Sequence, residues 1–255
     1  MNERPPWTIW RYDTVDSTQR VASDLITSGA GHHRTAVVAA NQSAGYGRKG
    51  DPWHDGAGDS LLTTVILSPD EPSASYPYAM IAALAVVRAI EAATHLAVSL
   101  KWPNDVLING RKVAGILGDA TWAGSRLIAM RVGIGVNVGG ARILYIARGL
   151  PDATSLAAES GQIICGDTVL AALLEQFDRI DGVYCHSGHA SIVAEWRNAL
   201  ATIGQEVAIT HRDGRVLRGK ATDATLDGDL IIDAADGTSV RVRAPDVRSL
   251  RHVTP

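Results

Sequence analysis

Lys101-Trp102-Pro103-Asn104-Asp105-Val106-Leu107-Ile108-Asn109-Gly110-Arg111-Lys112-Val113-Ala114-Gly115-Ile116-Leu117 is the stretch around which this chain is organised. It sets two lysines, an arginine, a carboxylate and two carboxamides among apolar runs. Asn109-Gly110 predicts a two-residue hairpin, because a type I′ turn needs positive φ at both central positions. Lys112 then falls two residues past the turn, on a strand with apolar neighbours. Such a lysine either snorkels to solvent or is held in place to meet a negative charge, and spacing alone leaves both open. Pro103 forces an extended Trp102, and Asn104-Asp105 predict a turn.

Upstream, Thr8 to Tyr12 predicts a first strand, and Asp16-Ser17-Thr18 precedes Val21, Ala22 and Leu25 at helical spacing, with Gly29 as a stop. Ser17 or Thr18 serves as an N-cap, or the same helix end presents hydroxyls and N–H groups to a ligand. Ala36 to Ala40 predicts a buried strand. From Asn41 to Gly58 the chain is rich in glycine. Gly45, Gly47 and Gly50 have the spacing of a dinucleotide fingerprint, but Asp51-Pro52-Trp53-His54-Asp55-Gly56 does not open the helix that fingerprint requires. A glycine loop carrying Arg48 and Lys49 can still wrap an anion; an ordinary surface Ω-loop has the same composition. Ser60 to Leu67 predicts a strand, and Tyr78 to Ala93 a buried helix built on Met80, Ile81, Leu84, Val87 and Ile90.

Downstream, Leu127 to Val138 predicts a strand. Gly133-Ile134-Gly135-Val136-Asn137 inside it marks a bulge or a place where a ligand or helix approaches the backbone. Pro151 to Leu156 predicts a helix start, Asp167 a cap for a helix through Ala171, Leu174 and Phe177, and Ile192 to Leu200 a further helix. Cys185-His186 and His189 have no second ligand pair at metal-binding spacing, and Ser187-Gly188 predicts a turn. From Ile203, glycines punctuate short alternating runs, which predicts a small antiparallel barrel of SH3 size. The division is expected near Thr202, giving segments 1–202 and 203–255, and an α+β fold class: a mixed β-sheet flanked by helices, followed by a small C-terminal SH3-like β-barrel.

The bulk numbers exclude several classes. With 46% hydrophobic and 20% charged residues in 255, a sizeable core is available. A net charge of −3 gives no electrostatic footprint for DNA or an anionic membrane. The N-terminus lacks a signal-peptide pattern, the apolar window from Tyr76 to Val98 is interrupted by Arg88, Glu91 and His95, and two cysteines without paired spacing fit a reducing cytoplasm.

Four separated motifs resemble the biotin protein ligase family. They are Asp16-Ser17-Thr18-Gln19, the loop Gln42-Ser43-Ala44-Gly45-Tyr46-Gly47-Arg48-Lys49-Gly50, the opening stretch from Lys101 to Asp105 with Lys112 to Leu117, and Gly133 to Asn137. Order and spacing fit over essentially the whole chain. The resemblance implies a two-step reaction: biotin and ATP give biotinyl-AMP, and a lysine of a biotin carboxyl carrier domain then takes the biotin. It implies catalytic roles for Lys112, Arg48 and Asp105. Biotin contacts carry over to Ser17, Thr18, Gln19, Gln42, Tyr46, Gly47, Arg48, Lys112, Gly115 and Gly133. Nucleotide contacts carry over to Arg48, Trp53, Asn104, Lys112 and Asn137. Mg²⁺ accompanies ATP through phosphate oxygens, no protein metal site is implied, and a homodimer fits the resemblance.

Three positions depart from the family pattern. Tyr46 and Asp51 stand where arginines are usual, and Gln19 replaces asparagine. Fewer cations near the phosphates imply weaker retention of biotinyl-AMP. Only about fifteen residues precede Ser17, too few for a DNA-binding helix-turn-helix, so a ligase-only form is expected. The alternatives are a lipoate or octanoate ligase or transferase of the same superfamily, and a biotin-binding protein with impaired adenylation. Neither cysteine lies near Lys112 in sequence, which argues against a cysteine-dependent transferase.

Overall fold

The computed structural model describes residues 5–53, 60–68 and 77–253. The His54-to-Gly58 end of the expected glycine-rich segment, and Tyr76, lie outside the described residues. Seven strands form the first sheet: β1 (Thr8–Val15), β2 (Thr35–Gln42), β3 (Ser60–Leu67), β4 (Ser99–Lys101), β5 (Asp105–Ile108), β6 (Arg111–Ala123) and β7 (Arg126–Asn137). Their spatial order is β1-β2-β3-β7-β6-β5-β4, with β1 and β2 parallel and the other neighbours antiparallel. The sheet is therefore mixed, as expected.

Alternation along the strands assigns the two faces. Val37, Ile66 and Ala129 pack with Ala22 and Leu25 of α1 (Thr18–Thr27). Ala36, Val38, Val65, Val132 and Ile134 pack in the large core with α2 (Tyr78–Thr94). That core also takes in α5 (Gly166–Ala199), which follows the short helices α3 (Arg142–Ala147) and α4 (Leu156–Ser160). α2 is buried along almost its whole length because both the sheet and α5 cover it.

Several expectations shift in detail. β1 runs on to Val15 because its parallel pairing with β2 continues to Gln42. Asp167 does not cap: the helix starts at Gly166, Cys165 holds the cap position without a side-chain bond, and the Asp167 carboxylate is drawn to Arg11 at 2.8 Å. α5 breaks at Gly188 (φ 75°, ψ −176°), where Ser187-Gly188 was expected to turn, so its two halves match the two expected C-terminal helices. Cys185 and His186 precede that break and His189 follows it, and His186 Nδ1 lies 2.7 Å from the Gly182 carbonyl. α3 was not anticipated, and among the described residues no helix is long and apolar enough to cross a membrane.

The second sheet is antiparallel, with β8 (Glu206–His211), β9 (Val216–Ala224), β10 (Leu230–Ala234), β11 (Ser239–Val242) and β12 (Val247–His252) in the order β11-β10-β9-β8-β12. β12 returns to β8, while β11 and β12 do not pair, so the barrel is open. Trp102, 1% exposed, fastens this sheet to the first. Its backbone N–H donates to Thr202 Oγ1 at 3.0 Å, and its indole Nε1 donates to the Gly228 carbonyl at 2.9 Å.

Replacing Trp102 by Phe keeps the apolar bulk and deletes the second bond, leaving the Gly228 carbonyl without its donor. We expect a loss of about 1–3 kcal/mol. Thermal unfolding of Trp102→Phe should show a midpoint several degrees lower; an unchanged midpoint would mean this bond does not hold the second sheet.

Candidate active site

On the α1 face of the first sheet, beyond the N-terminus of α1, lies a cavity of ≈ 290 Å³. Its floor is bare backbone. Gly115 of β6 pairs with Gly135 of β7, and Leu117 pairs with Gly133 two residues along, so three glycines share the open face. A Cβ at Gly135 would stand 2.5 Å from the Trp53 ring, one at Gly115 3.0 Å from it, and one at Gly133 2.8 Å from Gln19 Nε2. Of the two readings of Gly133 to Asn137, close approach holds: the strand register is regular there, and side chains lie against the backbone.

One end of the cavity is polar. Ser17 caps α1, its Oγ accepting from the Gln19 N–H, and it is buried. The Thr18 N–H and Oγ1 both donate to Gln42 Oε1, at 2.7 and 3.1 Å, and Thr18 Oγ1 accepts from Thr64. Gln19 Nε2 donates to the Leu117 carbonyl, while Gln19 Oε1 is buried without a partner among the described residues. Trp53 Nε1 is likewise buried without a partner among them. Leaving such atoms unmade costs about 1–3 kcal/mol each, a cost a ligand with complementary donors and acceptors removes. The Ser17-Thr18 helix end is thus capped, and it also lines the cavity.

The other end is charged. Lys112 Nζ lies 2.6 Å from Asp105 Oδ1 and 5.7 Å from the centre of the Trp53 ring. The side chain points across the cavity, so the snorkelling alternative fails. The hairpin aims it: Asn109 and Gly110 have φ of 51° and 74°, as a type I′ turn demands. A second set of bonds holds the strand from outside. The Lys112 N–H donates to Asp152, the Thr154 N–H donates to the Lys112 carbonyl, and Arg111 forks onto Glu159. Burial pushes the Glu159 carboxyl upward, but bonds from Thr154, Arg111 and Asn109 outweigh this and hold it below its ordinary value. Asn104 closes the turn, its Nδ2 donating to the Ile116 carbonyl.

The glycine loop folds back as a small closed hairpin. Gly47 N–H donates to Asp51, Trp53 N–H donates to Gly45, and Tyr46 bridges Pro52. Lys49 at its tip has φ 64°, an uncommon conformation for a lysine. Arg48 lines the cavity, but its Nη2 donates to the carbonyls of Ala244 (2.5 Å) and Val247 (3.3 Å) in the second sheet. Burial lowers the Arg48 pKa, Asp105 opposes this and Arg212 adds to it.

Ser17, Thr18, Gln19, Gln42, Tyr46, Gly47, Arg48, Trp53, Asn104, Asp105, Lys112, Gly115 and Gly133 are thus brought to one cavity. Asn137 is not; its Nδ2 donates to the Thr154 carbonyl and braces the segment beside Lys112. Sequence reasoning missed Arg248, Ser249 and Leu250 of β12, which also line the cavity. Their alternation signals only a strand, and nothing local says which sheet they meet.

A profile of the biotin/lipoate A/B protein ligase family matches residues 12–137. The bifunctional ligase/repressor BirA of Bacillus spizizenii is 34% identical over 88% of this chain and 69% of its own length. The biotin–[acetyl-CoA-carboxylase] ligase of Paracoccus denitrificans is 34% identical over 76% of this chain and 81% of its own. Among solved structures, biotin protein ligase from Aquifex aeolicus in complex with biotin and ATP superposes with a TM-score of 0.81 at 25% identity, covering 96% of this chain and 99% of that one.

The bare floor gives a test. Gly135→Ala places a methyl group where the Trp53 indole now lies. We expect the variant to fold, with the Trp53 indole N–H resonance shifted and biotin binding weakened about tenfold or more, as for overpacking of a shaped site. Parental binding and an unmoved resonance would mean that Trp53 does not rest on this glycine pair.

Proposed function

The chain belongs to the biotin/lipoate A/B protein ligase family, and from that premise we propose that it is an ATP-dependent biotin protein ligase, acting on a lysine of a carboxylase's biotin carboxyl carrier domain. The observation that carries the reading is Lys112 Nζ inside the cavity, between the polar end and the glycine loop. A biotin ureido ring at the Ser17-Thr18-Gln19-Gln42 end meets hydroxyls and carboxamides, including the unpaired Gln19 Oε1. Its carboxylate then reaches Lys112.

The first step joins two anions, so positive charge must stand where they meet. Lys112 sits there, with Arg48 and Lys49 on the loop opposite. A biotin carboxylate oxygen attacks the α-phosphorus of ATP, the bond to the β-phosphate oxygen breaks, and pyrophosphate leaves. In the second step a neutral lysine amine of the carrier attacks the acyl carbon of biotinyl-AMP, and AMP departs. Asp105, already at the cavity wall, is placed to accept the proton that the amine must lose. The cavity offers the carboxylates Asp51 and Asp105, the latter paired with Lys112, so Mg²⁺ enters as the counter-ion of the nucleotide's phosphates. A cytoplasmic reaction, where ATP is at hand, belongs to the same proposal.

A lipoate or octanoate ligase is the second reading. An acyl chain or dithiolane would leave the polar end unpaired, and sites built to hydrogen-bond a ligand discriminate strongly against analogues that cannot. The division at 202/203 belongs to the same proposal: α5 ends at Ala199 and the second sheet starts at Glu206.

Purified protein with ATP and a carrier domain should release pyrophosphate only when biotin is added, and lipoate should not substitute. Lys112→Ala should keep the parental melting temperature and lose about 10²- to 10³-fold of that rate, the scale of removing one transition-state charge contact. A near-parental rate in Lys112→Ala would take Lys112 out of the chemistry.

A further inference from the structure

Alternate positions of β7 face α1 in succession: Ala129, Arg131, Gly133 and Gly135. Ala129 lies in the apolar cluster with Ala22 and Leu25, Gly133 lies under the Gln19 side chain, and Gly135 lies under Trp53. Arg131 breaks the pattern. Its side chain is only 12% exposed, between the sheet and the first turn of α1. Nη1 donates to the Gln19 carbonyl at 3.1 Å, and Nη2 donates to Asp119, the residue opposite on β6. Its Nε is buried without a partner among the described residues.

A cation is an unfavourable choice at this point. Withdrawing a guanidinium from water costs free energy, and the positive end of the helix dipole opposes a cation at the first turn. α1 has no acidic residue in that turn to offset it. Nor does the Gln19 carbonyl need the bond, since a carbonyl in a helix already accepts from the N–H four residues on. Position is what the bond adds. Gln19 is held at three points by three elements: its N–H on Ser17 Oγ (3.2 Å), its carbonyl on Arg131, and its Nε2 on the Leu117 carbonyl of β6 (2.9 Å). The last bond also fixes the sense of the carboxamide, because an amide oxygen there would face another acceptor. Gln19, 3% exposed and lining the cavity, keeps an Oε1 that is unpartnered among the described residues. That atom accepts and cannot donate.

We propose that Arg131, backed by Asp119, is a positioning residue for ligand recognition: it fixes the first turn of α1 so that Gln19 Oε1 meets a ring N–H of biotin. This rests on the biotin reading of the polar end and adds to it. Selectivity then falls on the donor. A head ring with an N–H at this point completes the Gln19 carboxamide, whereas one with an oxygen there sets two acceptors against each other. Neither Arg131 nor Asp119 lines the cavity, so both act through Gln19.

The test is Arg131→Met in the full chain, which keeps an apolar stem and deletes the guanidinium. Biotin binding without nucleotide is read by titration calorimetry, and biotin-dependent pyrophosphate release gives kcat and the KM values for biotin and ATP. We expect the Kd and KM for biotin to rise about tenfold, the scale of one lost hydrogen bond in a buried site, with kcat and the KM for ATP within about twofold of the parent. Arg131→Lys, which keeps one charged donor, should recover at least half of that loss on a logarithmic scale. The probes of selectivity are the two carbamate analogues of biotin, each with one ureido N–H replaced by oxygen. The parent should bind one of them about a hundredfold or more below biotin, and Arg131→Met should narrow that ratio about tenfold. Asp119→Asn, at a half-exposed carboxylate, should raise the Kd for biotin about threefold with the KM for ATP unchanged, and it decides the matter if Arg131→Met does not fold. Biotin constants within twofold of the parent in the folded variants would overturn the proposal. So would equal rises for biotin and ATP, which would make Arg131 a general brace of the sheet, or a parent that binds both analogues as well as biotin. A parent that binds no biotin would overturn the biotin reading and this proposal with it, whereas unchanged variants of a biotin-binding parent would overturn this proposal alone.

Discussion

The Lys112–Asp105 contact is the interaction around which the site is built, because it holds a positive charge at the wall of the cavity. An isolated lysine on a strand would extend to water, where its charge is best solvated. Here three features prevent that. The turn at Asn109-Gly110 sets the register of the strand, the Asp152-to-Thr154 segment bonds the backbone on both sides of Lys112, and Arg111 is fixed separately on Glu159. The neighbouring cation is thereby committed outward and Lys112 inward.

The rest of the fold serves that geometry. The sheet gives one face to α2 and α5 and one to α1, and α1 stops short, so the glycines at 115, 133 and 135 stay uncovered by helix. Trp53 and Gln19 rest there with buried polar atoms that nothing among the described residues satisfies. The second sheet is bound to both sides of the cleft: to the Lys101-to-Asp105 turn through Trp102, and to the glycine loop through Arg48. Its docking and the shape of the site are therefore one problem in packing. Trp102, in the middle of the opening motif, works as an anchor.

Much of this was legible in the sequence where local physics decides. β3 matches its expected span from Ser60 to Leu67, and the hairpin follows from two residues that tolerate positive φ. Legibility failed where a distant partner decides. Asp167 is a good cap by type, yet Arg11 of β1 takes its carboxylate. The bond from Asn137 to the Thr154 carbonyl carries no local signal. Arg48 lines the cavity, but its bonds to Ala244 and Val247, almost the whole chain away, could not be read locally. Arg248 carries no signal at all until the second sheet is placed against the first.

Activation of biotin as an adenylate is the step on which the proposed chemistry turns. The most direct measurement is exchange of labelled pyrophosphate into ATP, which needs only the first step and no carrier domain. Exchange is expected with biotin present, none without it, and none when lipoate replaces biotin. Exchange that ignores biotin, or its absence in a folded protein that binds both biotin and ATP, would contradict that step.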